Sequence, residues 1–145
     1  MTFNGEDIQM LHYPPAHTDS DISVYFPKED VLHVADTWWN GHYPFIDYNT
    51  GGNIKGMIHA TDRNIKNSSD KTIIIPGHGP IGSRTQLIDY RGMLSTIYDA
   101  VKKLKLQGKS MEEVVKAKPT SKFDGKFGTF IIDPAFFTRL VYKGA

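Results

Sequence analysis

Cysteine is absent from the 145-residue chain, which excludes disulfide bonds and thiolate metal ligands. Any metal site must therefore use histidine and carboxylate side chains. No apolar run approaches the roughly 18 residues that a membrane-spanning helix needs. The opening residues also lack the basic segment and apolar run of a signal peptide. We therefore expect a soluble chain without membrane contact, and its compartment stays open.

An excess of either charge is also missing. Lys and Arg number 17 and Asp and Glu number 16, which gives a formal net charge of +1. No basic cluster is interleaved with aromatic residues, so the sequence does not predict binding to nucleic acid or to an anionic membrane. A composition of 39% hydrophobic and 23% charged residues is typical of a globular protein, and the length suits one domain over residues 1–145.

The periodicity of apolar residues predicts an α/β protein. Short apolar or alternating runs between turn residues are typical of strands, whereas spacings of three and four residues are typical of helices. The predicted strands cover residues 8–12, 21–26, 31–35 and 72–75, and residues 38–52 are predicted to form a loop. The predicted helices start at Asn53, run from Leu87 to a stop at Gly108, restart at a Ser110–Glu113 capping box, and start again at Asp133-Pro134.

Three polar residues lie at the ends of predicted strands. His17 precedes the second strand, Asp36 directly ends the third, and His78 follows the fourth in a Pro-Gly-His-Gly-Pro turn. Side chains at the same end of neighbouring strands converge, and imidazole with carboxylate suits Zn²⁺, or Fe or Mn. Each residue also has a structural interpretation, as a hydrogen-bonded histidine, a turn-capping aspartate or a rigid turn. The residue pattern leaves both interpretations open.

Three stretches of the chain resemble, in order and spacing, the later metal-ligand motifs of the metallo-β-lactamase superfamily. They are Ala-His17-Thr-Asp-Ser-Asp, Val-Leu-His-Val-Ala-Asp36 and Ile-Ile-Pro-Gly-His78-Gly-Pro. The resemblance covers most of residues 6–107. It implies the C-terminal half of an αββα sandwich, with a mixed sheet that carries helices on one face.

The resemblance also implies roles for these residues. His17 resembles the third histidine of the first zinc site, Asp36 the catalytic carboxylate that bridges two zinc ions, and His78 the last histidine of the second site. The implied activity is hydrolysis of a small-molecule substrate by a water-derived hydroxide. An aspartate at position 36 favours a general hydrolase over the antibiotic-hydrolysing subclasses, which have cysteine or serine there.

The first motif of the superfamily, His-x-His-x-Asp-His, is not in this sequence. No two of the six histidines are separated by a single residue. The chain therefore offers one ligand to one metal and two to the other, whereas a catalytic zinc usually has about three protein ligands. We expect weak, partial or absent metal binding and little hydrolysis by the isolated chain. The alternative is a non-catalytic, truncated or degenerate paralogue that acts as a structural or binding module.

Other candidate residues surround these motifs. His42 lies in the predicted loop, where it either contacts substrate or is an ordinary exposed histidine. Asp19 and Asp21 either form hydrogen bonds to the ligand histidines or stabilise the turn. Trp38 and Trp39 either line a pocket or pack beneath the loop.

Half of a sandwich would leave one face of its sheet uncovered. Monomers rarely tolerate large exposed apolar patches. We therefore expect a homodimer that packs sheet against sheet, or assembly with a complementary N-terminal half.

Overall fold

The computed structural model describes residues 1–145 and begins with a small hairpin that the sequence analysis missed. Strands β1 (Thr2–Phe3) and β2 (Glu6–Asp7) pair in antiparallel fashion. The turn between them consists of Asn4 and Gly5, with φ of 50° and 80°. Two-residue hairpin turns favour Asn-Gly because both positions need positive φ. The hairpin does not join the main sheet.

The main sheet has four strands in the order β3-β4-β5-β6. They are β3 (Gln9–His12), β4 (Ile22–Phe26), β5 (Val31–Trp39) and β6 (Ile73–His78). Strand β4 is antiparallel to both β3 and β5, and β6 is parallel to β5. A helix connects this parallel pair, as parallel neighbours require a crossover. The predicted mixed sheet is confirmed.

Five α-helices follow or connect the strands. They are α1 (Ile54–Lys66), α2 (Arg84–Leu106), α3 (Met111–Lys116), α4 (Asp124–Phe127) and α5 (Pro134–Gly144). Three predicted helix starts are confirmed, because Asn53, Ser110 and Asp133 each accept a hydrogen bond from a backbone N–H of the first turn. Helix α4 was not predicted. None of the helices has both the length and the apolar character needed to cross a bilayer.

Strand β5 is longer than predicted, and Asp36 lies inside it instead of ending it. Ala35 has a φ of 47°, and the pairing with β6 shifts register on both sides of this residue. Beyond the irregularity, Trp39 pairs with His78, which extends β6 past Pro76 as well. A bulge interrupts the alternation on which sequence prediction depends, while the neighbouring strand restores the pairing. The predicted loop from Trp38 therefore begins only after Trp39.

The two faces of the main sheet differ in burial. Leu32 pairs with Ile74, and both side chains are buried against the helices in a continuous hydrophobic core. The opposite face carries apolar side chains that no part of the chain covers. Met10, Ile22 and Ile73 on that face are 53%, 42% and 47% exposed. The helices thus cover only one face of the sheet.

Candidate functional site

His17 lies in the loop between β3 and β4, and the loop that follows β5 holds it in place. The N–H of Asp47 donates to the backbone carbonyl of His17 over 2.9 Å. The ring Nδ1 of His17 lies 2.9 Å from the carbonyl oxygen of Phe45. Because a carbonyl only accepts hydrogen bonds, Nδ1 carries the proton. In the neutral ring, Nε2 therefore presents a free lone pair, as in a metal-ligating histidine.

Two glycines allow the loop that carries His17 to pack closely on its neighbours. A Cβ atom at Gly52 would lie 2.1 Å from the carbonyl oxygen of His17, and one at Gly56 would lie 1.6 Å from that of Pro15. Either distance is far below van der Waals contact. The close packing of the His17 loop on helix α1 and on the residues just before it therefore requires glycine at both positions.

Asp36 projects from the bulge of β5 toward β6. A Cβ atom at Gly77 would lie 2.3 Å from Asp36 Oδ1 and 2.8 Å from the backbone carbon of Ala35. In the structure, the carboxylate of Asp36 and the backbone of β5 occupy that space.

The structure brings His17, Asp36 and His78 together, and we call these three residues the candidate site. Nε2 of His17 lies 3.7 Å from Asp36 Oδ2, and Nδ1 of His78 forms a 2.8 Å hydrogen bond with Asp36 Oδ1. The side chains are 15%, 33% and 38% exposed for His17, Asp36 and His78 respectively, so solvent reaches all three. Asp36 therefore stands between the two imidazoles.

Aromatic residues form the floor of the candidate site. The indole of Trp39 stacks on the ring of His78, with centroids 3.8 Å apart and planes 20° apart, and is itself buried. Tyr90 is also fully buried. Burial raises the pKa of the Tyr90 phenol well above its ordinary value, and the charge of Asp36 adds to that shift. The phenol is thus neutral throughout the physiological range.

The other predicted site residues have different surroundings. A carboxylate oxygen of Asp21 accepts from the backbone N–H of Thr18, and Asp19 accepts from the hydroxyl of Ser20. The Nδ1 atom of His42 is buried without a hydrogen-bond partner. Burial and the nearby His78 lower the pKa of His42.

Two residues at this site were not among those predicted from the sequence. Phe45 supplies the carbonyl that orients His17, and such a backbone contact leaves no signal in a side-chain pattern. Phe130 precedes helix α5, and its ring lies 6.5 Å from the ring of His78. Its only sequence signal is an apolar run, Phe-Ile-Ile, that belongs to no predicted element.

The donor atoms match part of a metal site but do not complete one. The free Nε2 of His17 and the carboxylate of Asp36 are suitable zinc ligands. However, no three histidine, aspartate or glutamate side chains are arranged to hold a metal ion. Further ligands are needed before a metal could take part in catalysis here.

No protein-family model matches the sequence, and no curated protein matches it either. Solved structures do match the fold. The stereoselective inverting sec-alkylsulfatase Pisa1 from Pseudomonas sp. is 20% identical with a TM-score of 0.82, and the match covers 99% of this chain and 24% of that one. The metallo-β-lactamase from Pontibacter korlensis is 18% identical with a TM-score of 0.57, and the match covers 66% of this chain and 44% of that one.

BLEG-1, a B3 metallo-β-lactamase, is 24% identical with a TM-score of 0.54, and the match covers 66% of this chain and 44% of that one. These likenesses show that the chain has the α/β fold of the C-terminal part of metallo-β-lactamase-type proteins. The chain spans about a quarter of the length of the alkylsulfatase and under half that of the β-lactamases. The match to the alkylsulfatase extends over nearly the whole chain.

Proposed function

We propose that this chain is the C-terminal part of a metal-dependent hydrolase with the metallo-β-lactamase fold. His17, Asp36 and His78 would be its contribution to a site for two zinc ions, with Fe or Mn as alternatives. The proposal depends on the convergence of these three side chains. Asp36 lies between the ring of His17, whose Nε2 is free, and the ring of His78. The remaining ligands would come from a polypeptide segment that carries a His-x-His-x-Asp-His motif.

The proposed roles follow from the positions of the three side chains. Asp36 would bridge the two metals, while His17 and His78 would each bind one of them. Metal ions held by these residues would supply the chemistry of a water-derived nucleophile at neutral pH. The carbonyl of Phe45 would keep the His17 ring in the tautomer whose Nε2 is free to bind. The substrate would be a small molecule with a hydrolysable bond.

Zinc titration of the purified chain tests this proposal. We expect weak binding by calorimetry, because the chain supplies at most two ligands to either metal. His17→Ala and His78→Ala should each reduce binding at least about tenfold, since outer-sphere changes alone cost 10- to 100-fold. His59→Ala is the matched control, because His59 is exposed on helix α1 away from these motifs. Equal zinc binding by the wild type and the His17→Ala/His78→Ala double variant would contradict the proposal.

One observation favours the alternative of a non-catalytic module. The direct hydrogen bond between His78 Nδ1 and Asp36 Oδ1 pairs one polar atom of each side chain with the other instead of with a metal. In that case, the coding DNA upstream of Met1 should hold no ligand motif, and adding a segment with His-x-His-x-Asp-His should restore no hydrolysis. If the chain is instead part of a hydrolase, adding that segment should restore hydrolysis.

The open face of the main sheet supports a proposal about partners. Its apolar side chains would be covered either by the complementary N-terminal half or by a second copy of this chain. The first arrangement would also bring the missing ligands to the candidate site. Sedimentation at micromolar concentration tests both arrangements, and a stable, well-folded monomer would contradict them.

A further inference from the structure

A cavity between helices α1 and α2 is lined by side chains of these two helices alone, and we call it the interhelical pocket. Helix α1 contributes Lys55 and His59 to its polar lining, and α2 contributes Arg91, Ser95 and Asp99. None of the candidate-site residues lines it. Its volume is about 350 Å³. Small-molecule sites usually have volumes of roughly 300–1,000 Å³, so the pocket is large enough for a small ligand.

The two helices that form the interhelical pocket run antiparallel. Arg84, the first residue of α2, donates a 3.2 Å hydrogen bond to the carbonyl of Ile65 near the end of α1. Further along α2, Arg91 bonds to Asp62. The later turns of α2 therefore lie beside the first turns of α1. Lys55 and Asp99 face the pocket from these two stretches.

The interhelical pocket contains two opposite charges that have no partner. The guanidinium of Arg91 forms two hydrogen bonds with the carboxylate of Asp62, of 2.8 and 3.2 Å, so its charge is already compensated. Lys55 and Asp99 line the same pocket but form no ion pair with each other or with any other residue. The pocket thus offers one cation and one anion that are held apart. A ligand that carries both charges can pair with both of them.

A hydroxyl group in the wall of the interhelical pocket also lacks a partner. Ser95 Oγ is buried and forms no hydrogen bond. Buried polar atoms without a partner are uncommon and cost free energy. Arg91, Ser95 and Asp99 follow one another at intervals of four residues, so they share one face of α2. The hydroxyl is therefore a third polar group on the same face as the unpaired carboxylate.

The lining of the interhelical pocket favours a small molecule over a polypeptide segment. The exposed side chains of the lining are polar, namely Lys55, His59 and Asp99. The two apolar residues, Ile58 and Tyr98, already pack in or against the hydrophobic core. The central part of a protein interface is usually depleted of charged residues, and this pocket has the opposite composition.

We propose that the interhelical pocket binds a small zwitterion of the α-amino-acid type with a non-polar side chain. Lys55 pairs with the carboxylate of the ligand, and the hydroxyl of Ser95 donates to that carboxylate. Asp99 pairs with the ammonium group. Ile58 and Tyr98 contact the non-polar side chain. The inference goes beyond the proposed hydrolase function and does not depend on it.

Three related ligands test whether both charges are recognised. L-Phenylalanine is compared with 3-phenylpropanoate, which lacks the ammonium group, and with 2-phenylethylamine, which lacks the carboxylate. Each is titrated into the ¹⁵N-labelled full chain and followed by calorimetry and amide chemical shifts. We expect shifts at residues 55–59 and 91–99. Each analogue should bind about three- to fivefold more weakly than L-phenylalanine, since it loses one exposed ion pair.

Two variants assign the charged groups of the ligand to their partners. In Lys55→Met, L-phenylalanine and 2-phenylethylamine should bind equally, because the carboxylate no longer has a partner. In Asp99→Asn, L-phenylalanine and 3-phenylpropanoate should bind equally, because the ammonium group has lost its partner. Lys71→Met is the matched control, since Lys71 is exposed in the turn before β6, and it should preserve the preference for L-phenylalanine.

Ser95→Ala tests the buried hydroxyl separately. It should weaken L-phenylalanine binding without lowering the free energy of unfolding of the ligand-free chain, because the hydroxyl has no hydrogen bond to lose. Urea unfolding measures the second quantity. Unchanged binding together with a lower stability would show that the hydroxyl has only a structural role and would remove it from the proposed site.

Several outcomes would overturn the inference. These are no saturable binding of L-phenylalanine at millimolar concentration, equal binding of the three ligands by the wild type, and an unchanged preference in Lys55→Met. Shifts in the pocket that depend on the concentration of the chain alone would mean that a second copy covers it, which also contradicts a small-molecule occupant. His17→Ala/His78→Ala should bind L-phenylalanine normally, and Lys55→Met should bind zinc like the wild type, so either proposal can fail alone.

Discussion

The two faces of the main sheet have similar side chains but different surroundings. Ile73 and Ile74 are consecutive residues of β6, and the alternation of the strand places them on opposite faces. Ile74 is fully buried against the helices, whereas Ile73 is 47% exposed. Strand-forming, apolar residues on both faces are typical of a sheet that is covered on both sides. The open face therefore carries apolar side chains like those of the covered face, but no other part of this chain packs on it.

The largest expected effect is on the covered face. Ile74→Ala should lower the free energy of unfolding by about 3–4 kcal/mol, because it removes buried methyl groups and leaves a cavity in the core. Urea unfolding followed by circular dichroism measures this loss. If the free energy of unfolding falls by less than about 1 kcal/mol, the helices pack loosely on the sheet. The two faces would then not differ in how tightly their side chains are packed.

The second effect concerns a buried polar network on the covered side. Asn64 is fully buried, accepts a hydrogen bond from the hydroxyl of Tyr13 and donates to Thr37 Oγ1 over 2.9 Å. Asn64→Ala should lower the free energy of unfolding by about 2–3 kcal/mol, because buried partners lose their hydrogen bonds. The exposed Asn49→Ala is the control and should stay within about 0.5 kcal/mol. Equal stabilities of the two variants would show that water replaces the amide.

This network also bears on the candidate site. Thr37 donates a 2.6 Å hydrogen bond to the carbonyl of Val34 and so closes the bend around Ala35 from which Asp36 projects. Asn64→Ala should therefore also change the chemical shift of the His78 ring, which is hydrogen-bonded to Asp36. An unchanged His78 resonance would show that the hydrogen bonds of Asn64 do not influence the candidate site.

A smaller effect is expected where helix α5 meets the rest of the covered side. The hydroxyl of Tyr48 donates a 2.7 Å hydrogen bond to the carbonyl of Leu140, and burial raises the pKa of Tyr48 to about 12. Tyr48→Phe should cost about 1 kcal/mol at pH 8. In the unfolded chain the phenol loses its proton near pH 10, whereas in the folded chain it keeps the proton until about pH 12.

The stabilisation by Tyr48 is therefore complete below pH 10 and is lost as the pH rises toward 12. Urea unfolding of both proteins at pH 8 and pH 11 should show that the gap between them narrows at the higher pH. A gap that stays constant would show that the phenol is not protected from titration in the folded state.

The smallest effect is expected on the open face. Ile73→Ala should change the free energy of unfolding of the monomer by no more than about 0.5 kcal/mol, because the side chain is half exposed. If a second copy covers this face, the same change should cost more and depend on protein concentration. Sedimentation of the wild-type chain and of Ile73→Lys at several protein concentrations shows whether a second copy covers this face. A wild-type monomer at micromolar concentration would leave the open face without either proposed partner.

Local signals in the sequence predicted most elements, and long-range pairing decided the rest. Ser110 and Asp133 cap their helices as predicted, and Asn53 caps the helix that was predicted to start there, because a cap depends only on the next three residues. The continuation of β5 to Trp39 depends on pairing with His78, which lies 39 positions away in the sequence. The hairpin at Asn4-Gly5 did carry a turn signal, but two-residue strands are too short to show alternation.

The residue pattern alone predicted the α/β order of elements, the position of His17 before β4 and that of His78 at the end of β6, whereas Asp36 lies inside β5. Their convergence was predicted, but their contacts were not. The contact of Phe45 with His17, the hydrogen bond between Asp36 and His78, and the position of Phe130 beside them depend on tertiary packing. The physical reason is that a strand end or a cap is a property of neighbouring residues. A backbone carbonyl or a ring brought in from another part of the chain depends on how all the layers pack.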